Sequence, residues 1–236
     1  MEFLATFLGL EPDDLVAVRL SLIVATVGTL ASLPLAVLTA LALARGKFWG
    51  KTLLDGVVHL PLVLPPVVTG YLLLIAFGRK GLFGHGLESC CGLVFSFRWT
   101  GAALAAAVMG FPLMVRAIRL SLEAVDRRLE DAASTLGASR AGVFFSVTLP
   151  LAVPGLLAGI VLGFAKALGE FGATITFVSN IPGETRTLPA AIYSLTQTPG
   201  GDAAAGKLVL VAIVLSLAAL VASELLARRL AGRISG

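Results

Sequence analysis

Five apolar segments, each long enough to cross a hydrocarbon core as a helix, decide what this chain can become: residues 15–44, 53–77, 99–120, 149–168 and 208–226. A bilayer core takes about 20 helical residues, and a segment inside lipid must pair its own backbone N–H and C=O groups, which favours the α-helix. The expected fold is therefore an all-α integral membrane protein with five transmembrane helices in a single domain, residues 1–236. With 57% hydrophobic and 14% charged residues and a mean hydropathy of +0.96, the chain lies outside the range of soluble globular domains. The first segment is overlong and is expected to tilt or protrude.

The net charge of +4 could suggest nucleic acid, yet the basic residues sit at the ends of apolar segments and form no single patch. Their placement answers to topology. One side collects eleven, Arg45, Lys47, Lys51, Arg116, Arg119, Arg127, Arg128, Arg140, Arg228, Arg229 and Arg233, against five on the other, Arg79, Lys80, Arg98, Arg186 and Lys207. The richer side is expected to be cytoplasmic, with the N-terminus outside and the C-terminus inside. The acidic start, with Glu2, Glu11, Asp13 and Asp14, does not resemble a cleavable signal.

Residues 127–150 break the apolar pattern. Leu129, Ala132, Ala133 and Leu136 share one face of a short helix that Gly137 ends. Ser139 is placed to cap a second short helix with Val143, Phe144 and Val147 as its apolar side, and Pro150 suits the first turn of the span that follows. Two short helices with an exposed apolar face form a plug for a partner's groove. The stretch resembles the "EAA" loop of ABC importer permeases, Glu-Ala-Ala, three residues, Gly, nine residues, Ile-x-Leu-Pro: here Asp131-Ala132-Ala133, Gly137 and Val147-Thr148-Leu149-Pro150. The resemblance implies cytoplasmic coupling helices and makes Glu130, Asp131, Ala132, Ala133, Gly137, Val147, Leu149 and Pro150 the candidate ATPase-coupling residues.

Two further stretches are candidates for a pathway or gate. Pro61, Pro65 and Pro66 interrupt the second segment and predict a bent helix, which a bilayer tolerates where freed carbonyls face protein or a cavity. Between residues 166 and 186, Lys166 and Glu170 stand one turn apart near the outer end of the fourth span, where ionisable groups turn inward. Gly172 loosens the backbone there, Thr174 and Thr176 offer hydroxyls, and Ser179 and Asn180 open a turn. Neutral donors of this kind can hold a dehydrated oxyanion without the trapping that a fixed cation gives. Gly155, Gly159, Gly163 and Ala167 form a small-residue row for close helix approach, either within the chain or between copies. Residues 188–198 are too short to span and are expected to form a re-entrant or surface helix.

Chemistry of other kinds finds little support. Gly50-Lys51-Thr52 imitates the end of a phosphate loop, but position 45 is Arg where that loop needs Gly, so ATP-derived energy must come from another subunit. His85 in the polar loop 78–98 has no companion ligands, His59 suits a buried hydrogen bond, and the adjacent Cys90 and Cys91 are expected to be free thiols. No catalytic residue, metal site or cofactor is expected.

Residues 59–68 (HLPLVLPPVV), 106–119 (AAVMGFPLMVRAIR) and 168–187 (LGEFGATITFVSNIPGETRT) narrow the resemblance to bacterial molybdate importer permeases, over roughly residues 15–227. That resemblance implies uptake of molybdate, with tungstate, through a pore made with a second copy of this chain. It also implies two cytoplasmic ABC ATPase subunits, an extracytoplasmic oxyanion-binding protein, and a place in the bacterial inner membrane with no nucleic-acid partner. With the last span ending near residue 226, no C-terminal regulatory domain is expected. The alternatives are a sulfate or thiosulfate permease, whose sequences share the Glu-aromatic-Gly element and the Asn-Ile-Pro turn, and a membrane scaffold without a pathway.

Overall fold

The computed structural model describes residues 9–234, so Glu2 lies outside the described residues, as do the side chains of Arg228, Arg229 and Arg233. Among the described residues every regular element is helical. In chain order these are α1 (Pro12–Arg45), α2 (Lys51–Val63), α3 (Pro66–Phe77), α4 (Gly84–Cys91), α5 (Trp99–Ala124), α6 (Arg127–Thr135), α7 (Arg140–Leu168), α8 (Gly172–Val178), α9 (Leu188–Thr196) and α10 (Asp202–Ile234). Four described stretches are long and apolar enough to cross a membrane: α1, α5, α7 and Asp202–Ala222 of α10. The pair α2 and α3 makes a fifth if counted as one span. At 1.5 Å per residue, the 34 residues of α1 exceed the roughly 30 Å of a hydrocarbon core, as its sequence predicts.

The centre of the bundle is α5, packed between α1 and α7. Its composition explains why. Gly101, Ala102, Ala103, Ala105 and Ala106 are buried and present almost no side chain, so neighbouring backbones come close. A Cβ on Gly28 of α1 would stand 2.7 Å from the Ala103 carbonyl oxygen. The glycine row of α7 is answered inside the same chain. Cβ atoms at Gly155, Gly159 and Gly163 would meet Ser121, Ile118 and Met114 of α5 at 2.1, 3.1 and 2.6 Å. Of the two readings open for this row, the intrachain contact is the one formed, and the Ser121 hydroxyl donates to the Ala152 carbonyl along the same seam.

Four expectations need correction. The second segment is not one bent helix: α2 and α3 meet at 115°. Leu64 precedes Pro65 and Pro65 precedes Pro66, and a residue before proline is pushed out of the helical region. Both are extended, with ψ of 141° and 134°, so the chain breaks there, whereas Pro61 stays inside α2. Next, the helix capped by Ser139 does not end before the fourth span. It runs through a π turn, Phe144–Thr148, directly into Leu149–Leu168, with the Leu149 N–H reaching back to the Phe144 carbonyl. The i→i+5 pattern just before Pro150 absorbs the hydrogen bond that proline cannot donate. Finally, loop 78–98 contains the helix α4, and the backbone expected to be loosened at Gly172 instead begins α8.

The predicted short helix after the Asn-Ile-Pro turn is α9, buried at Leu188, Ala190 and Ala191 against α1 and α10. The Ser21 hydroxyl oxygen accepts from the Leu188 N–H at 2.6 Å, fixing its start.

Candidate functional site

The helix α6 projects from the bundle end where α1 finishes and α7 begins. Its N-terminus is capped by Asp126, whose carboxylate accepts from the Arg128 N–H at 2.9 Å, a cap that the sequence pattern had not singled out. Gly137 follows with φ of +90°, a left-handed conformation that suits glycine, and Ser139 accepts from Gly142 N–H at 3.1 Å as its position predicts.

No residue of α6 is buried. Leu129 is 49% exposed, Leu136 89% and Phe145 67%. The first two belong to the apolar face expected from spacing. The second apolar side differs: Val143 is buried toward the chain's own bundle, Phe144 and Val147 are half-buried, and Phe145 is the aromatic turned to solvent. The four-residue helical turn that begins at Arg140 is continuous with a membrane span, so its inner face is committed to the core. Leu149 and Pro150 are half-buried at the start of that span.

Adjacent acids in this helix have different surroundings. Asp131 is exposed, as is Ala132, and Ala133 is half-buried. Glu130 turns inward, where its Oε1 takes the Arg45 guanidinium at 3.0 Å and the Thr148 hydroxyl at 2.7 Å. A second set of contacts lies at the same end: Arg119 of α5 bridges Asp55 of α2 at 3.1 Å and Glu123 at 2.8 Å, and His59 Nδ1 lies 3.2 Å from Asp55 Oδ1.

At the opposite end the structure joins two stretches that are far apart in sequence. The first turn of α3 packs on α8: a Cβ on Gly172 would stand 2.7 Å from the Pro66 Cβ, and one on Gly70 2.5 Å from the Ala173 carbonyl oxygen. The proline break and the Glu170 region are thus one site. Pro65 and Pro66 are exposed at its rim. Pro61 belongs elsewhere, in the wall of an apolar groove of about 630 Å³ with Gly28, Ser32, Val58, Trp99 and Phe111.

Glu170 is 3% exposed. Its Oε2 takes Lys166 Nζ at 2.6 Å and its Oε1 takes the Ala173 N–H at 2.9 Å, so one carboxylate neutralises a cation and caps α8. A buried charge persists when it is paired and hydrogen-bonded, and this one is both. Beside it a cavity of about 450 Å³ is walled by Gly169, Phe171, Leu188, Tyr193 and Ser216.

The neutral donors are partly committed. The Thr176 hydroxyl donates to the Gly172 carbonyl at 2.8 Å, and Thr174 is buried. Asn180 is held at both ends, donating to Ser194 Oγ at 2.6 Å and accepting from Arg186 Nε at 3.1 Å. The Thr185 hydroxyl donates to the carbonyl of Ser179, a residue whose φ is +66°. Ser179 and Asn180 therefore secure the turn between α8 and α9.

At the outer edge of the fold, Cys90 and Cys91 are exposed free thiols with their sulfurs 2.9 Å apart. Hydrogen bonding with the Cys90 thiol pushes the Cys91 thiol above the ordinary cysteine range.

Comparison with known proteins gives this geometry a context. Residues 32–236 match the family described as "Binding-protein-dependent transport system inner membrane component". The chain is 60% identical over 212 residues to the molybdenum transport system permease protein of Escherichia coli K12, covering 90% of this chain and 93% of that one. It is also 60% identical over 217 residues to the corresponding protein of Haemophilus influenzae, covering 92% and 95%. Among solved structures, a bacterial ABC transporter that imports the acidic polysaccharide alginate superimposes with a TM-score of 0.75 at 18% identity, over 96% of this chain and 82% of that one.

Proposed function

The chain belongs to the inner-membrane components of binding-protein-dependent transport systems, and from that premise we propose that it is the membrane-spanning permease subunit of an ABC importer for molybdate. The observation that carries the substrate is the identity with molybdenum permeases, which extends over nine-tenths of the chain. Tungstate, alike in charge and size, is expected to follow the same route.

Two copies of the chain enclose the pathway, two ATPase subunits bind its cytoplasmic face, and an extracytoplasmic protein delivers the oxyanion. The end bearing Arg45 and α6 is cytoplasmic, in keeping with the excess of Lys and Arg on that side. The outward-facing Leu129, Leu136 and Phe145 give each α6 region an apolar knob suited to a groove on an ATPase. Residues 127–150 couple the two proteins. Closure of the ATPases around ATP draws the two knobs together and opens the spans outward, and hydrolysis resets them, a rigid-body alternation. Gly137→Pro and Asp131→Lys are expected to uncouple hydrolysis from transport in a chain that still inserts.

At the outer end the joined Pro66–Gly172 region acts as the gate. The Lys166–Glu170 pair leaves little net charge there, so a divalent oxyanion passes neutral groups and is not held by an unpaired cation.

The test is oxyanion-dependent ATP hydrolysis in liposomes by this chain with its ATPase and binding protein, with molybdate, tungstate and sulfate supplied separately. Stimulation by molybdate and tungstate, lost in Asp131→Lys, is the expected result. Stimulation by sulfate alone would assign a sulfate permease, and no stimulation by any anion would overturn the transport reading.

A further inference from the structure

We infer that Glu130 is the joint through which α6 moves the membrane spans, with a role distinct from that of its neighbour Asp131; the inference rests on the coupling reading of residues 127–150. Among the described residues, Glu130 is the one side chain of Arg127–Thr135 that hydrogen-bonds outside its own helix. Its two partners belong to different spans. Arg45 is the last residue of α1, and Thr148, 4% exposed, stands at the entry to the membrane part of α7. Arg45 also reaches the Val125 carbonyl at 3.4 Å, at the end of α5. One carboxylate thus ties the projecting helix to α1 and α7, and Arg45 carries the tie on to the end of α5.

The form of the tie suits transmission. Both bonds to Glu130 converge on a single oxygen, Oε1, and Arg45 contributes Nη2, while its Nε is buried without an acceptor among the described residues. A two-point fork would fix the angle of α6 against the bundle. An end-on contact resists separation and leaves the angle free. A load applied to the exposed face of α6 is therefore passed to α1 and α7 as a pull at one point. Asp131, one residue on and pointing out, is left for the ATPase side.

Glu130 is accordingly a positioning residue, and its loss should lower uptake per ATP while the ATPase still copurifies, which loss of a docking contact would not allow. The experiment compares Glu130→Gln, which keeps size and the Thr148 contact, with Glu130→Ala and Arg45→Gln, in the reconstituted complex with its ATPase and binding protein. The expected result is ATPase copurifying at the unsubstituted ratio, hydrolysis lowered less than about threefold, and molybdate uptake per ATP lowered about tenfold or more. Loss of ATPase copurification would overturn the proposal by making Glu130 a docking contact, as would equal reduction of both activities or uptake at the unsubstituted level. A second readout does not depend on transport: in inside-out vesicles containing this chain alone, trypsin should cut at the exposed Arg127 and Arg128 about fivefold faster in Glu130→Gln than in the unsubstituted chain, with Asp131→Asn unaltered. Equal cleavage would overturn the joint. An unsubstituted complex without oxyanion-stimulated hydrolysis, but with the trypsin difference present, would overturn the transport reading and leave the tie standing.

Discussion

Gly172 and Pro66 lie so close that a Cβ on the glycine would come within 2.7 Å of the proline's own Cβ. The contact exists because Pro65 and Pro66 break the second span and turn α3 toward α8. Adding a side chain at this seam must push the two helices apart. Gly70 is the stricter position, because there the obstacle is the Ala173 backbone carbonyl, 2.5 Å away. Gly70→Val is expected to cost about 1–3 kcal/mol as overpacking, read as a lower melting temperature in detergent. Gly56→Ala on α2, where a Cβ meets nothing within 4 Å, is the control and should melt no lower than the parent. Equal melting of parent and Gly70→Val would show that the seam opens freely.

The thiol pair on α4 makes a prediction about pH. Hydrogen bonding between the two thiols favours the protonated form of Cys91 and raises its pKa, so at any pH below that value less thiolate is present than in an isolated cysteine. Cys90→Ala removes the main cause, lowers the Cys91 pKa, and should speed alkylation by a membrane-impermeant maleimide near neutral pH. The two rates should converge as the pH rises past the raised value. A slower reaction in Cys90→Ala would reverse the assigned cause.

Leu136 and Phe145 are the most exposed large apolar side chains of residues 127–150. Serine at 136 replaces a side chain that is 89% exposed, and serine at 145 gives up the edge contact with the Phe144 ring, so stability should change by no more than about 0.5 kcal/mol at 136 and about 1 kcal/mol at 145. If these side chains are anchors in an ATPase groove, each truncation should cost about 2 kcal/mol of association, roughly a thirtyfold rise in Kd. Pull-down of the ATPase at graded concentration measures it. Unaltered association in the double substitution would remove both residues from the interface.

The spans and the turn at Gly137 were legible because each depends on local sequence alone: a run of apolar residues, or one residue with a positive φ. Ser139 as a cap was legible for the same reason. What escaped depends mostly on partners distant in sequence, the proline break and the π turn being the local exceptions. Three prolines within six positions all predict bending, and the location of the break follows only from two of them being consecutive. The glycine row of α7 declares close packing without saying on what; its answer, Met114, Ile118 and Ser121, lies some forty residues earlier. The inward turn of Glu130 in place of Asp131 follows from where α1 ends, because Arg45 waits on one side of α6 only. The π turn before Pro150 joined two elements that spacing alone kept apart.

The Lys166–Glu170 pair predicts unequal stability costs for its two partners. The Glu170 side chain is 2% exposed and that of Lys166 30%, so the two partners are not equivalent. In Lys166→Met the carboxylate stays buried with a backbone amide as its remaining partner, and breaking a buried pair from that side costs about 3–5 kcal/mol. In Glu170→Gln the amide oxygen can still accept from Ala173 N–H, and the lysine, already partly exposed, can extend toward water along its methylene stem. That substitution should cost about 1 kcal/mol. The double variant Lys166→Met with Glu170→Gln leaves no buried charge and should regain most of the loss of Lys166→Met. Melting temperatures of the four proteins in detergent form the complete cycle. A Lys166→Met protein as stable as the parent, or a double variant no better than Lys166→Met, would show that the cap on α8, and not the charge pair, is what the buried carboxylate contributes.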